Sequence, residues 1–325
     1  MRILTYCVTV TRDDEPGPPF EADKAYDARE AHLSQLVQAG FAKLDAFRQK
    51  QQQPTFQDGI ANAGRPLYIF AAPEWLFRVK RDQFGWNPAE YFMPKHRQQY
   101  RKLLASLSVR ADVDVLMVAG SMLWIQPLDA LARLQVAAET ARYRVGKAVK
   151  YGFDDRTRPE SRLEREADVF KAREPIITGV VKKEWLGYNE ALVYFNGTER
   201  KSVLKSYNAS DFSMFGAENP ANHVEMVYGL GAGSFSLDIA GGKLKCAVAI
   251  CYDHSRPLEY GKSVDLYILV SCSQSVSRKY VKGGGLILHS DCRGWGSVKQ
   301  GKANQTLVAE KAEPFELARA VIDTG

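Results

Sequence analysis

No stretch of this 325-residue chain approaches the roughly 18 consecutive apolar residues that a membrane-spanning helix needs. Cysteine is scarce and odd in number: Cys7, Cys246, Cys251, Cys272 and Cys292 are widely spaced, in a chain too large to need disulfide staples. That usage fits a reducing compartment, and the cytoplasm is the default expectation. A strong charge of one sign is also missing. The 44 Lys and Arg stand against 38 Asp and Glu, a net charge of +6, and the two signs alternate along most segments. Such a balance argues against a dedicated nucleic-acid surface and says little about a partner. Disorder and collagen-like repetition are excluded by a composition of 45% hydrophobic and 25% charged residues. What remains is an ordinary globular composition with enough apolar material for a sizeable core.

Apolar, β-rich runs bounded by turn residues supply that core: Ile3 to Val10, Leu67 to Ala72, Val113 to Ala119, Ala191 to Phe195, Leu244 to Cys251, Val264 to Val270 and Leu286 to His289. The first could pass for a short signal-peptide segment, but Thr-Arg-Asp-Asp-Glu follows instead of a small-residue cleavage site, so it reads as a buried strand. Ala22 to Arg48 is helical in period, with Leu33, Leu36, Val37, Phe41, Leu44 and Phe47 on one face, and Glu90 to Arg110 has a similar pattern. Alternating helices and strands early, and closely spaced strands later, predict α/β layers with a mixed sheet. Residues 127 to 175 break the alternation. They hold a helix-compatible stretch from Leu128 to Val149 and a charged patch from Phe153 to Arg173, and read as a solvated insertion with too few apolar residues for its own core.

Three polar residues stand at the ends of apolar runs. Cys251 follows Leu-Lys-Cys-Ala-Val-Ala-Ile and precedes the polar turn Tyr-Asp-His-Ser-Arg-Pro; a thiol there is held by a rigid strand yet faces a loop. Glu74 lies between Pro73 and Trp75 after Tyr-Ile-Phe-Ala-Ala, where partial desolvation would suit it to proton transfer near neutrality. Lys205 closes Lys-Ser-Val-Leu-Lys. Viewed singly, a buried apolar cysteine, a helix-starting glutamate and a surface lysine are each ordinary.

Together, Pro73-Glu74, Lys205 after the strand opening Tyr188-Asn189, and Cys251-Tyr252-Asp253 resemble, in order, spacing and context, the nitrilase or carbon–nitrogen hydrolase superfamily. The resemblance covers the chain apart from the insertion. Two departures stand out: Ser255 occupies the position four after the cysteine where an arginine is usual, with Arg256 next, and Phe215-Gly216-Ala217-Glu218 carries one residue more than the family's loop.

The resemblance implies a four-layer α-β-β-α sandwich, one domain over 1–325 with the insertion at about 127–175, and pairing into homodimers or larger homo-oligomers. It implies hydrolysis of a non-peptide carbon–nitrogen bond in a small molecule, without metal or organic cofactor. An amide is the first choice, with nitrile hydrolysis, acyl transfer or a catalytically idle binding member as alternatives. Cys251 would be the nucleophile, Glu74 the general base and Lys205 the oxyanion-stabilising cation, with Glu218 as a fourth member. Trp75, Tyr188, Phe215, Tyr252 and Ser273 would lie near the substrate.

Other constellations compete. Cys251, His254, His289 and Cys292 offer zinc-ligand types without a compact knuckle around them. A cysteine–histidine pair would need His223, His254 or His289 as base, and no local signature of such proteases surrounds Cys251. Gly229-Leu-Gly231-Ala-Gly233 opens onto a strand pattern, not a helix, so no dinucleotide site is expected, and Gly283 to Gly285 lacks the Lys-Ser/Thr ending of a phosphate loop.

Overall fold

A computed structural model describes the chain except residues 13–20, 52–54, 75, 79–85, 152–159, 207–221, 231–232, 256–263, 273, 277–280, 302–306 and 325. Two sheets face each other. The first runs β12-β13-β1-β2-β3-β4-β5, with β6 beside β4, where β1 is Arg2–Val10, β2 Leu67–Ala72, β3 Asp114–Pro127, β4 Trp185–Phe195, β5 Thr198–Leu204, β6 Val224–Met226, β12 Val308–Ala312 and β13 Phe315–Asp323. The second runs β11-β10-β9-β8-β7, from β7 Gly233–Ile239, β8 Gly242–Ile250, β9 Leu266–Ser271, β10 Leu286–Asp291 and β11 Ser297–Gln300. Pairing is parallel among β1, β2 and β3 and among β8, β9 and β10, and antiparallel at β13, β4, β5, β7 and β11.

The two-residue strand period sorts side chains into layers. In β2, Leu67, Ile69 and Ala71 face the second sheet and meet Leu266, Ile268, Val270 and Ile250, whereas Tyr68, Phe70 and Ala72 face the helices. On that outer side lie α1 (Ala22–Lys50) and α2 (Pro94–Leu107), whose buried residues include the Leu33, Leu36, Val37, Phe41, Leu44 and Phe47 stripe. Because the strands are buried on both faces, they read as continuous apolar runs and not as alternating ones. On the far side of the second sheet Ala247, Tyr267, Leu269 and Ile287 have no exposed surface. That face too is covered, as a four-layer α/β sandwich requires.

The insertion is more structured than its composition suggests. It folds as α3 (Ala130–Tyr151) and α4 (Glu160–Thr178), joined across their faces where the Tyr143 hydroxyl donates to Glu166 at 2.7 Å. Much of the charged patch is therefore helix, and the two ends of the segment are not solvated: Ala132 and Val136 near its start and Ile176 just past its end enter the helix–sheet core. Arg173 is 1% exposed and donates from Nε and Nη2 to the Tyr228 carbonyl at 2.9 and 2.5 Å. Truncating it leaves that carbonyl without its charged partner. Arg173→Ala should lower unfolding free energy by about 1.5–3 kcal/mol in denaturant titration, since bonds to charged donors are worth about that much; an unchanged midpoint would show the anchor to be dispensable.

Two cysteines correct the sequence expectation of a chain without disulfides. β9 and β10 pair in parallel with a constant offset, ending Ser290↔Val270 and Asp291↔Ser271, so the next residues on each strand, Cys272 and Cys292, meet in a disulfide with 5.0 Å between their Cα atoms. The cysteine count thus gives no support to a reducing compartment. No helix among the described residues is long and apolar enough to cross a membrane.

Candidate active site

Glu74, Lys205 and Cys251 come from three strand ends, and the sheets bring them together. Glu74 lies two residues past β2, and its backbone N–H donates across the sandwich to the Ser271 carbonyl at the end of β9 (3.4 Å). Lys205 directly follows β5; its N–H donates to the Asn189 carbonyl on β4 and its carbonyl accepts from Gly229 N–H. Cys251 follows β8 and opens a short 3-10 turn, Cys251–Ser255. Its φ of 46° lies in the left-handed region, a conformation of order 1–3 kcal/mol above the common ones for a residue with a side chain. That turn ends the strand abruptly at the thiol.

The Lys205 ammonium donates to Glu74 Oε1 at 2.8 Å, with the lysine side chain 2% exposed and the glutamate side chain fully buried. A bare ion of either kind would be prohibitively costly at this depth, so the pair exists only as a pair. Asn189 Nδ2 donates to the same oxygen at 3.0 Å. The Cys251 thiol lies 3.8 Å from the Cys272 carbonyl and close enough to Glu74 for the carboxylate charge to act on it. Burial pushes this thiol up to about 12, and the Glu74 charge adds to the rise; Lys205 and a backbone hydrogen bond at Cys272 act in the opposite direction. The resting sulfur is therefore protonated at neutral pH. A thiol in this state attacks only where a base can take its proton, and Glu74 is the carboxylate beside it.

Two glycines allow this convergence. A Cβ on Gly120, whose φ is 80°, would come 2.2 Å from the carbonyl oxygen of Pro73, the residue before Glu74. One on Gly229 would come 2.2 Å from the carbonyl of Leu204, the residue before Lys205. Gly120→Ala should cost about 1–3 kcal/mol of stability from overpacking alone and displace Glu74, lowering turnover in parallel; a variant with wild-type kinetics would show that the close approach is incidental.

Other sequence candidates fall elsewhere. Tyr188 points to the helix side of β4, opposite in strand period to Asn189, where it stacks on Trp124 with ring centroids 4.0 Å apart and accepts from Gln126. It is not in contact with the Glu74–Lys205 pair. Trp75, Phe215, Glu218 and Ser273 lie outside the described residues, as does the side chain of Tyr252. Asn189 is the site residue that sequence reasoning passed over, although it stood in the Tyr188-Asn189 pair that marked the strand.

The competing constellations come apart. Cys292 is in the disulfide, His254 bonds the Tyr267 hydroxyl at 2.8 Å, His289 bonds Ser271 Oγ, and His223 stacks on Trp86. No group of three or more metal-ligand side chains occurs among the described residues.

No protein-family model and no curated protein matches the chain. Among solved structures it is similar to an N-terminal amidase with a Gln-Gly peptide, at 11% identity and a TM-score of 0.35, covering 85% of this chain and 49% of that one. It is also similar to a glutamine-dependent NAD(+) synthetase from Cytophaga hutchinsonii, at 10% identity and a TM-score of 0.38, covering 99% of this chain and 43% of that one. The chain thus spans less than half the length of these two solved chains.

Proposed function

We propose that this chain is a carbon–nitrogen hydrolase of the nitrilase type, cleaving a non-peptide amide through a thioester on Cys251. The observation that carries this is the buried Lys205–Glu74 pair at 2.8 Å with the Cys251 thiol close enough to the same carboxylate for its charge to raise the thiol. A structural ion pair has no need of a thiol in a strained strand-end turn, and a packing cysteine has no need of a buried base.

In the proposed reaction Glu74 takes the thiol proton as Sγ attacks the amide carbon, giving a tetrahedral intermediate. Lys205 and the Tyr252 backbone N–H would hold the oxyanion, at about 3–4 kcal/mol for a well-placed donor. The carbon–nitrogen bond then breaks as Glu74 returns the proton to nitrogen, releasing ammonia or an amine. Glu74 next deprotonates water, which attacks the thioester carbon; the acid leaves and the proton returns to sulfur. Asn189 would keep Glu74 Oε1 in place while the carboxylate cycles. Ammonia release from a panel of simple amides, carbamoyl compounds and nitriles tests this. Turnover of nitriles alone would replace the amide assignment, and a full panel without turnover would contradict the hydrolase reading.

Because the resting thiol titrates near 12, its direct alkylation by iodoacetamide should be slow at pH 7 and still rising at pH 10. A surface thiol levels off above its ordinary pKa of about 8.5. A plateau near pH 9 for the peptide containing Cys251 would contradict the buried environment.

A further inference from the structure

Behind the site, on the outer face of the second sheet, three buried side chains form a chain of hydrogen bonds that the proposed reaction does not use. Ser271 Oγ lies 2.8 Å from His289 Nε2 and donates to Asp291 Oδ2 at 2.7 Å, and none of the three residues is more than 1% exposed. The residue types match a serine hydrolase triad, but the order does not. Serine is in the middle, its proton committed to Asp291 and its lone pair to the imidazole, so no base is aimed at the hydroxyl. His289 Nδ1 has no hydrogen-bond partner among the described residues.

Asp291 does more than bind Ser271. Its Oδ2 also accepts from Gln274 N–H at 3.3 Å and its Oδ1 from Arg293 N–H at 2.8 Å. Burial by itself would raise this carboxyl, yet the His289 ring 3.7 Å away and hydrogen bonds from Arg293, Ser271 and Gln274 hold it down at about 2. One carboxylate thus grips the chain on both sides of Cys272. Within that gripped segment, the Ser271 carbonyl accepts the Glu74 backbone N–H and the Cys272 carbonyl is the contact of the Cys251 thiol. The Ser271 carbonyl also accepts Cys292 N–H at 3.2 Å, which ties the same turn to β10.

We infer that Asp291, acting through Ser271, is a positioning residue that sets the backbone of Ser271 and Cys272 against the base Glu74 and the nucleophile Cys251. This rests on the proposed roles of those two residues. Geometry of this kind matters because a misplacement of about 1 Å can cost on the order of 10²-fold in rate.

Asp291→Asn, which keeps shape but loses the charge and an acceptor, and Ser271→Ala test it, each by two readouts. For Asp291→Asn, kcat on an amide from the panel should fall about 10- to 100-fold with KM close to wild type. The iodoacetamide profile of Cys251 should shift down by about one pH unit, hence about tenfold faster alkylation at pH 8, as water reaches a less tightly held thiol. Ser271→Ala should show smaller changes in the same directions, and it decides alone if Asp291→Asn does not fold. Cys7 and Cys246, both fully buried, report general loosening in the same samples. The inference is overturned if both profiles and kcat stay at wild type, or if Cys7 and Cys246 become reactive in step with Cys251. Wild-type protein whose Cys251 never alkylates would instead contradict the nucleophile assignment, and this role with it.

Discussion

Glu74→Gln should abolish turnover and also destabilise the fold by about 3–5 kcal/mol, because the substitution strands the Lys205 ammonium at 2% exposure without its counter-charge. Thermal melting measures the loss. Lys205→Met added to Glu74→Gln removes the stranded charge and should recover much of the stability while recovering none of the activity. That divergence separates the two roles of the pair, since an ion pair kept only for structure would return function along with stability. A single Glu74→Gln variant with a wild-type melting point would contradict the buried pairing.

Cys251→Ala makes the complementary case. It deletes one sulfur at a site 9% exposed and keeps the backbone, so the melting point should move by no more than a few degrees. Ammonia release should nevertheless fall by at least about 10³-fold, as loss of the attacking atom does in covalent hydrolases. Fold without function is the expected signature. Retention of near-normal activity would mean that another group attacks and that the strand-end thiol is only packing.

Much of this was legible in the chain itself, for a physical reason. Strands buried on both faces must be apolar throughout, so β1, β2, β8, β9 and β10 announce themselves, and a charged or thiol side chain at the end of such a run stands out. Glu74, Lys205 and Cys251 were found that way, and the two sheets do converge on them. Strands with mixed burial gave no such mark: β5, Thr-Glu-Arg-Lys-Ser-Val-Leu, is half exposed, and β12 is almost wholly so.

Charge density concealed α4, because a helix that buries only a few residues, Arg173 among them, looks like solvated loop in sequence. The Cys272–Cys292 pairing depends on the offset of twenty between β9 and β10, which only strand pairing reveals. The resemblance puts Tyr188 near the substrate, but the two-residue period assigns it to the helix side and gives the site side to its neighbour Asn189. The Asp291–Ser271–His289 chain escaped for a related cause. The members sit at or near the ends of β9 and β10, and only their adjacency across the sheet gives them meaning.

The central claim is that carbon–nitrogen cleavage passes through a thioester on Cys251, and peptide-resolved mass spectrometry of acid-quenched protein taken during turnover of an amide tests it most directly. The account predicts an acyl group on the peptide containing Cys251, labile to hydroxylamine and missing from Cys251→Ala. Turnover that proceeds with no adduct there, or with the acyl group on another residue, would contradict it.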